Sequence, residues 1–229
     1  RRFIEEDNSF MTGKGSLNHN SRKFHAKNTD PNRTHWNVEY CNEDIKDVYH
    51  ELFDEPLKRY NDKQTRKDRK IDDYYEKIRS GKQEKLFHEV ILQIGDKDNM
   101  GSETMEGQLA AKILDEYMKG FQERNPTLRV FAAHLHLDEA TPHLHIDFIP
   151  YVTGSKRGLD TRVSLKQALS SLGFKGGSRS ETELNQWVQS EKQKLAMVMR
   201  ENEIEWDQKE LMNHIFLYWI TEKRFENRK

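Results

Sequence analysis

Four histidines and two aspartates are concentrated in one short stretch of the chain, residues 134–148. His134 and His136 are two residues apart, and His143, His145 and Asp147 repeat that spacing. Alternate side chains of a β-strand share a face, so each set points in one direction. The residues between them are aliphatic or aromatic: Leu135, Leu137, Leu144, Ile146 and Phe148. Residues 129–137 and 143–150 are therefore predicted to be neighbouring antiparallel strands, with an apolar face and a histidine face, joined by a turn at 138–142.

Three imidazoles on one sheet face favour a transition-metal site, because imidazole is a common ligand of these ions and a sheet holds ligands rigidly. The candidate ligands are His136, His143 and His145. Three ligands leave coordination positions open for water or a phosphate oxygen, as catalysis requires. His134 is either a further ligand or a neighbour that contacts DNA or solvent. Glu139 would touch the metal or orient a ligand, and Asp147 is expected behind the ligands.

The same stretch resembles the metal motif of the MobV/Pre relaxases of plasmid mobilisation, which belong to the HUH superfamily. The family pattern is His-x-Asp-Glu-x-Thr-Pro-His-x-His, and residues 136–145 match each of its seven fixed positions. An upstream His-x-x-Arg motif of the family is matched by His19-Asn20-Ser21-Arg22. Residues 33–39 are similar to the block that follows it, so the resemblance extends over roughly residues 14–170.

The resemblance implies a relaxase, which nicks one DNA strand at an origin of transfer and later rejoins it. In this family a histidine is the nucleophile, and His19 occupies that position. A neutral imidazole that attacks phosphorus leaves a phosphohistidine. Arg22 is then expected to pair with a phosphate oxygen or to hold the DNA backbone, and Glu139 completes the catalytic set.

Tyrosines remain alternative nucleophiles, because other HUH enzymes use them. Tyr74 and Tyr75 are the main alternatives, and Tyr40 and Tyr49 stay open as well. The helical spacing of residues 71, 74, 75 and 78 is equally typical of a packing stripe, which we favour.

One divalent metal ion is expected. A three-histidine site favours manganese, zinc, cobalt or nickel, since magnesium disfavours imidazole. The resemblance implies manganese or magnesium, and we favour manganese.

The composition of the 229-residue chain limits the possible classes of protein but does not identify a function. Its formal net charge is −1, so a surface for DNA must arise from local segregation of charge. Residues 11–37 carry five Lys and Arg against one acid, and residues 58–85 carry eleven against six. Cys41 is the single cysteine, which excludes an internal disulfide or a thiolate cluster and fits a cytoplasmic protein. No apolar run reaches 18 residues, so no membrane segment is expected.

The predicted fold class is α+β: an antiparallel sheet with the HUH metal site on one face and helices packed on the other. Residues 1–175 are assigned to the catalytic domain, and residues 176–229 to a C-terminal helical region packed on it or extending it. The first predicted helix starts at Glu43 and is ended or kinked by Pro56. Further helices are predicted over 105–123, about 163–171 and about 207–226, and one more is opened by a capping box at 180–183. A strand is predicted over 86–94.

Single-stranded and hairpin-containing origin-of-transfer DNA is the expected partner, lying across the histidine face. The candidate DNA contacts are Lys14, Lys23, Lys27, Arg33, Lys156, Arg157 and Arg162 for the backbone, and Trp36 for base stacking. The C-terminal helices are candidates for contacts with a second copy or with transfer proteins. Other classes stay open: a tyrosine-dependent replication initiator, a metal-dependent hydrolase of a non-DNA substrate, and an inert DNA-binding module.

Overall fold

The computed structural model describes residues 17–23, 26–95, 97–98, 100–202 and 215–220, the last of these as backbone only. The strands are β1 (Val38–Asn42), β2 (His88–Ile94), β3 (Leu128–His136), β4 (His143–Val152), β5 (Arg162–Val163) and β6 (Ile215–Ile220). The helices are α1 (Leu17–Asn20), α2 (Ile45–Asp62), α3 (Tyr74–Ser80), α4 (Met105–Lys119), α5 (Phe121–Arg124), α6 (Leu165–Ser171) and α7 (Glu183–Glu201), with 3₁₀ turns at Thr34–Trp36 and Lys67–Arg69.

An antiparallel sheet of five strands, in the order β1-β3-β4-β2-β6, forms the centre of the described fold, and short β5 pairs with the end of β4. The α+β prediction is confirmed. The predicted pair of strands is β3 and β4, whose register places His136 opposite His143 and His134 opposite His145. A bulge in β3 between Val130 and Ala132 shifts this register farther from the site.

Side chains from both faces of the sheet are buried in two apolar clusters. Leu144, Ile146 and Phe148 of β4 pack against α4, α6 and α7 in the larger cluster. Ile149, which shares its face with the histidines by alternation, packs with residues of α2 and α3 in the smaller one. Helices therefore cover the apolar face, as predicted, and α2 and α3 also cover the far end of the histidine face.

Several predicted helix boundaries need correction. Pro56 does not end α2, which continues to Asp62 with the proline buried inside it. The predicted helix over 105–123 divides at Gly120 into α4 and α5. The N-cap of α7 is Thr182, whose side chain accepts from the Asn185 amide, rather than Ser180.

The predicted helix over 207–226 is wrong for residues 215–220, which form β6 and pair antiparallel with β2. Their run of β-branched and aromatic residues suits a buried strand, which periodicity alone does not separate from a helix. The remainder of that prediction lies outside the described residues. The short strand β1 was not predicted.

Candidate metal centre and nucleophile

Strands β3 and β4 bring three buried histidines together. One ring nitrogen from each of His136, His143 and His145 lies within 4.8 Å of the others. Their ring centroids are 4.8 to 5.2 Å apart. His134, although next to His136 on the same face, is not in this group, and its Nε2 lies 3.3 Å from Glu39 Oε2. The three candidate ligands are therefore adjacent, as their spacing predicted.

Each of these rings has one nitrogen facing a hydrogen-bond acceptor. His136 Nε2 lies 2.8 Å from the Asn20 carbonyl oxygen, and His143 Nδ1 lies 2.9 Å from that of Thr141. His145 Nδ1 lies 2.6 Å from Glu89 Oε1. A proton on each of these nitrogens leaves the lone pair on the opposite nitrogen, which fixes the tautomer that binds a metal.

The opposite nitrogens are the atoms that a metal would use. His136 Nδ1 and His145 Nε2 are buried and have no hydrogen-bond partner among the described residues. Buried polar atoms are rarely left in this state without an ion or water to satisfy them. Burial, with the neighbouring imidazoles, lowers the pKa of His136 to about 2, and burial also lowers the pKa of His143 and of His145. All three are neutral at pH 7, which is the form that ligates a metal. The residues present thus fit a divalent transition ion.

Two residues that the sequence analysis assigned no role complete the surroundings of the ligands. Glu89 on β2 is buried and accepts from His145 Nδ1 and from Asn20 Nδ2, at 2.6 and 2.7 Å. Asn20 also donates to Asp147 Oδ2 at 3.3 Å, which brings Asp147 into the same buried network. Glu89 had a recognisable signal, since it is an acid on the same strand face as Ile91 and Gln93, which pair with His145 and His143.

The segment that carries His19 is attached to the turn between β3 and β4. Arg22, with a positive φ of 51°, donates from Nε and Nη2 to the Asp138 carboxylate at 2.9 and 2.5 Å. Its Nη2 also donates to Glu139 Oε1 at 2.8 Å, and its Nη1 to the His19 carbonyl at 3.0 Å. Asn28 Nδ2 donates to the other oxygen of Glu139. Arg22 thus makes an internal bridge between two motifs that are far apart in sequence.

His19 lies beside the three-histidine group. Its ring centroid is 6.2 Å from that of His136 in an edge-on arrangement. His19 Nε2 is 3.2 Å from Glu139 Oε1 and 3.2 Å from Arg22 Nη1. Its side chain is 23% exposed, whereas that of Asp138 is 0% exposed, so His19 remains open to an incoming molecule.

The two acids of the turn stay ionised at neutral pH. Burial raises the pKa of Asp138, but hydrogen bonds from Arg22 and Asn37 and the charge of Arg22 outweigh burial and lower it to about 2. Burial likewise raises the pKa of Glu139, and the hydrogen bond with His19 together with the nearby His143 and Arg22 lowers it to about 2. The segment that carries His19 therefore faces fixed negative charge.

Some of the candidate DNA contacts in the early loop (residues 17–37) are exposed, whereas others form hydrogen bonds within the protein. Lys23 and Lys27 are exposed, and Trp36 is 38% exposed and lies edge-on to His35. Arg33 donates to Asp30 and to the carbonyl oxygens of Leu137 and Glu139, so much of its guanidinium is used within the protein. Lys14 lies outside the described residues.

In the loop at 153–162, Lys156 and Arg157 are exposed. Arg162 instead donates to Ser155 and Gln167. The main alternative nucleophiles, Tyr74 and Tyr75, lie in the smaller apolar cluster: the Tyr74 hydroxyl accepts from the Val163 amide, and Tyr75 packs edge-on against Tyr49. These contacts are what the packing-stripe interpretation predicts. Tyr40 packs against the larger cluster, and its hydroxyl donates to Asp115.

The antiparallel sheet places three buried histidines beside the segment that carries His19. The family model of the plasmid recombination enzymes, Mob_Pre, matches residues 15–200, and the chain belongs to this family. Membership supports a DNA relaxase role. The buried three-histidine group is consistent with a divalent metal.

Similar solved structures are of the MobM relaxase domain (MOBV; Mob_Pre) bound to origin-of-transfer DNA of plasmid pMV158, in Mn-bound crystals. One, at pH 5.5, is 24% identical over 84% of this chain and 81% of that chain, with a TM-score of 0.45. Another, at pH 6.8, is 20% identical over 84% and 81%, with a TM-score of 0.44. Among curated proteins no match is found. Within the described residues, no helix combines the length and the apolar character needed to cross a membrane.

Proposed function

We propose that this protein nicks one strand of DNA at a plasmid or mobile-element origin of transfer and later rejoins it, with His19 as the nucleophile. The observation that carries the proposal is the position of His19, with its ring 6.2 Å from that of His136 and its Nε2 3.2 Å from Glu139. A nucleophile and a metal centre must meet on the same phosphodiester, and this distance is short enough for both to reach it.

His136, His143 and His145 would hold one divalent ion, for which we favour manganese. When bound, such an ion polarises the scissile phosphate and stabilises the charge that builds on its oxygens. His136 would ligate through Nδ1 and His145 through Nε2, the nitrogens left without partners in the described part of the chain.

In the nicking step, a neutral imidazole nitrogen of His19 donates its lone pair to phosphorus. The nitrogen–phosphorus bond forms as the bond between phosphorus and the 3′ oxygen breaks, and that oxygen leaves as a hydroxyl after taking a proton from water. The 5′ phosphate remains on His19. Attack by the freed 3′ hydroxyl on this adduct reverses the step and rejoins the strand.

Glu139 and Arg22 would prepare His19 for this step. Because the pKa of Glu139 is about 2, its carboxylate is a poor proton acceptor but a good partner for the cationic imidazole that forms on attack. Arg22 donates to Asp138, Glu139 and the His19 carbonyl, so it orients the segment. With three of its nitrogens occupied in this way, we favour positioning over direct phosphate binding for Arg22.

The DNA would cross the histidine face between the early loop and the loop at 153–162. Lys23, Lys27, Lys156 and Arg157 are exposed and suited to backbone phosphates, and Trp36 is available for base stacking. Arg33 and Arg162 are engaged within the protein, so they would support these loops first and contact DNA only with their remaining donors.

The test uses His19→Ala, with His50→Ala as the matched control. His50 is an exposed histidine that, like His19, lies beside a carboxylate, here that of Asp54, but it is on α2. With labelled single-stranded origin DNA and Mn²⁺, the unaltered protein and His50→Ala should give nicked product and a covalent adduct that is acid-labile and base-stable. His19→Ala should give neither, with unchanged metal content.

An adduct stable to both acid and base would indicate a tyrosine and refute the assignment of His19. Absence of cleavage and adduct in the unaltered protein would favour a hydrolase of another substrate or an inert binding module.

A further inference from the structure

Asn20 is the point where the His19 segment touches the metal ligands. It is 2% exposed and ends α1. Its carbonyl oxygen is 2.8 Å from His136 Nε2, and its Nδ2 donates to Glu89 Oε1 at 2.7 Å and to Asp147 Oδ2 at 3.3 Å. Both its backbone and its side chain thus point to the sheet and away from solvent.

Glu89 forms a second connection from Asn20 to a ligand. Its Oε1 receives both the Asn20 amide and His145 Nδ1, at 2.7 and 2.6 Å, and its side chain is 2% exposed. Two of the three candidate ligands, on different strands, are therefore hydrogen-bonded to Asn20 directly or through one carboxylate. His143 is not: its Nδ1 faces the carbonyl of Thr141 in its own turn.

These contacts decide which nitrogen of each ring carries the proton. His136 can offer Nδ1 to a metal only while Nε2 keeps its proton, and the Asn20 carbonyl favours that state. Displacement of the segment would remove the hydrogen bond at His136 Nε2 and one of the two at Glu89 Oε1, and buried hydrogen bonds are costly to break. The same contacts therefore hold the ligands and the segment.

We propose that Asn20 is a positioning residue that couples metal binding to the ordering of the His19 segment, so that the loop carrying the nucleophile is fixed when the ion is present. Coupling of this kind is reciprocal: metal should order residues 17–23, and anchoring of residues 17–23 should tighten metal binding. The proposal rests on the metal site of the proposed function, but it concerns binding and order, independently of nicking.

The experiment measures Mn²⁺ affinity and hydrogen exchange of residues 17–23 in the DNA-free chain. Mn²⁺ should slow exchange of these amides in the unaltered protein. Asn20→Ala should weaken Mn²⁺ binding about tenfold, the lower end for residues that orient ligands, and abolish the metal-dependent slowing. Asn20→Asp, similar in size but with an acceptor in place of the donor, should behave alike, which separates hydrogen bonding from packing.

Ser21→Ala is the matched control, because within the described part of the chain Ser21 Oγ donates only to the Leu17 carbonyl in the same turn. Ser21→Ala should keep both the Mn²⁺ affinity and the metal-dependent slowing of hydrogen exchange. Asn20→Ala and Glu89→Ala should each weaken binding, and their combined effect should be less than the product of the single effects, because both interrupt one connection.

Mn²⁺ binding without slower exchange in the unaltered protein would overturn the coupling and leave the metal site intact. So would an Asn20→Ala protein with unchanged affinity and slowing, or multiplicative effects in the double variant. Absence of Mn²⁺ binding in the unaltered protein would refute the proposed metal site and, with it, the coupling.

Discussion

Asp138 is the buried anchor of the early loop, and its replacement by asparagine should show how much that anchor contributes to stability. The carboxylate is 0% exposed and accepts two hydrogen bonds from Arg22, at 2.9 and 2.5 Å, and one from Thr34 Oγ1 at 3.2 Å. Asp138→Asn keeps the size of the side chain and removes its charge. It therefore resembles a permanently protonated Asp138.

The expected loss of stability in Asp138→Asn follows from the pKa of Asp138. Burial raises the pKa of Asp138, but the hydrogen bonds and the charge of Arg22 lower it from 3.8 to about 2. Since a tenfold change in an acid constant corresponds to about 1.4 kcal/mol, neutralising this group should cost about 2 kcal/mol of folding free energy at pH 7. For a chain of this size that corresponds to a decrease in Tm of about 4 to 8 °C.

The sign of the pH dependence is fixed by the direction of the shift. The pKa is lower in the folded state, so the stabilisation is fully present above the unfolded value of 3.8 and is lost as the pH falls towards 2. The free-energy difference between the two proteins should be constant from pH 7 to about pH 5 and should be roughly halved by about pH 3.

Urea unfolding of both proteins across this range is the assay. Asp72→Asn, at an exposed aspartate, is the control and should change stability by less than about 0.5 kcal/mol. A loss below about 0.5 kcal/mol for Asp138→Asn at pH 7 would refute the reasoning, as would a difference that did not diminish in acid.

Two further changes test other parts of the molecule. Trp36→Ala should weaken binding of single-stranded DNA by about 1–3 kcal/mol in fluorescence anisotropy at fixed salt, while Trp36→Phe keeps a stacking ring; equal losses in both would exclude stacking. Glu191→Ala should lower the free energy of unfolding by about 3–5 kcal/mol without changing Mn²⁺ affinity. The reason is that buried Glu191 accepts from Arg124 and Asn125 at 3.1 and 3.2 Å and from the Tyr117 hydroxyl. A loss as small as that of the control Glu123→Ala, at an exposed position, would contradict this.

The proximity of the three candidate ligands was predictable because it depends on local sequence. In β3 and β4 the alternation of histidine with aliphatic residues fixes which side chains share a face. The short turn between the strands fixes the register, which puts His136 opposite His143. Two-residue periodicity and one turn were therefore sufficient to place three side chains around a common point.

The ends of the chain's helices were less predictable, because single residues decide them through tertiary contacts. Pro56 is accommodated inside α2, where it is buried against neighbouring elements, whereas Gly120 interrupts the helix that the apolar spacing would extend. Residues 215–220 form a strand because β2 offers a free edge, and no feature of the six residues themselves states which partner is available.

The early loop marks the limit of such prediction and also explains how the site is assembled. The composition of residues 11–37 identified positive charge but not its target. Arg22 is paired with Asp138, 116 residues away, and the His136 ring is hydrogen-bonded to Asn20 across the same separation. These are polar contacts between distant segments, which periodicity does not encode. Arg22 holds the loop at the turn, and Asn20 holds it beside the candidate ligands. We therefore expect that loss of either contact displaces His19, which directly precedes Asn20, while the three-histidine group remains on its sheet.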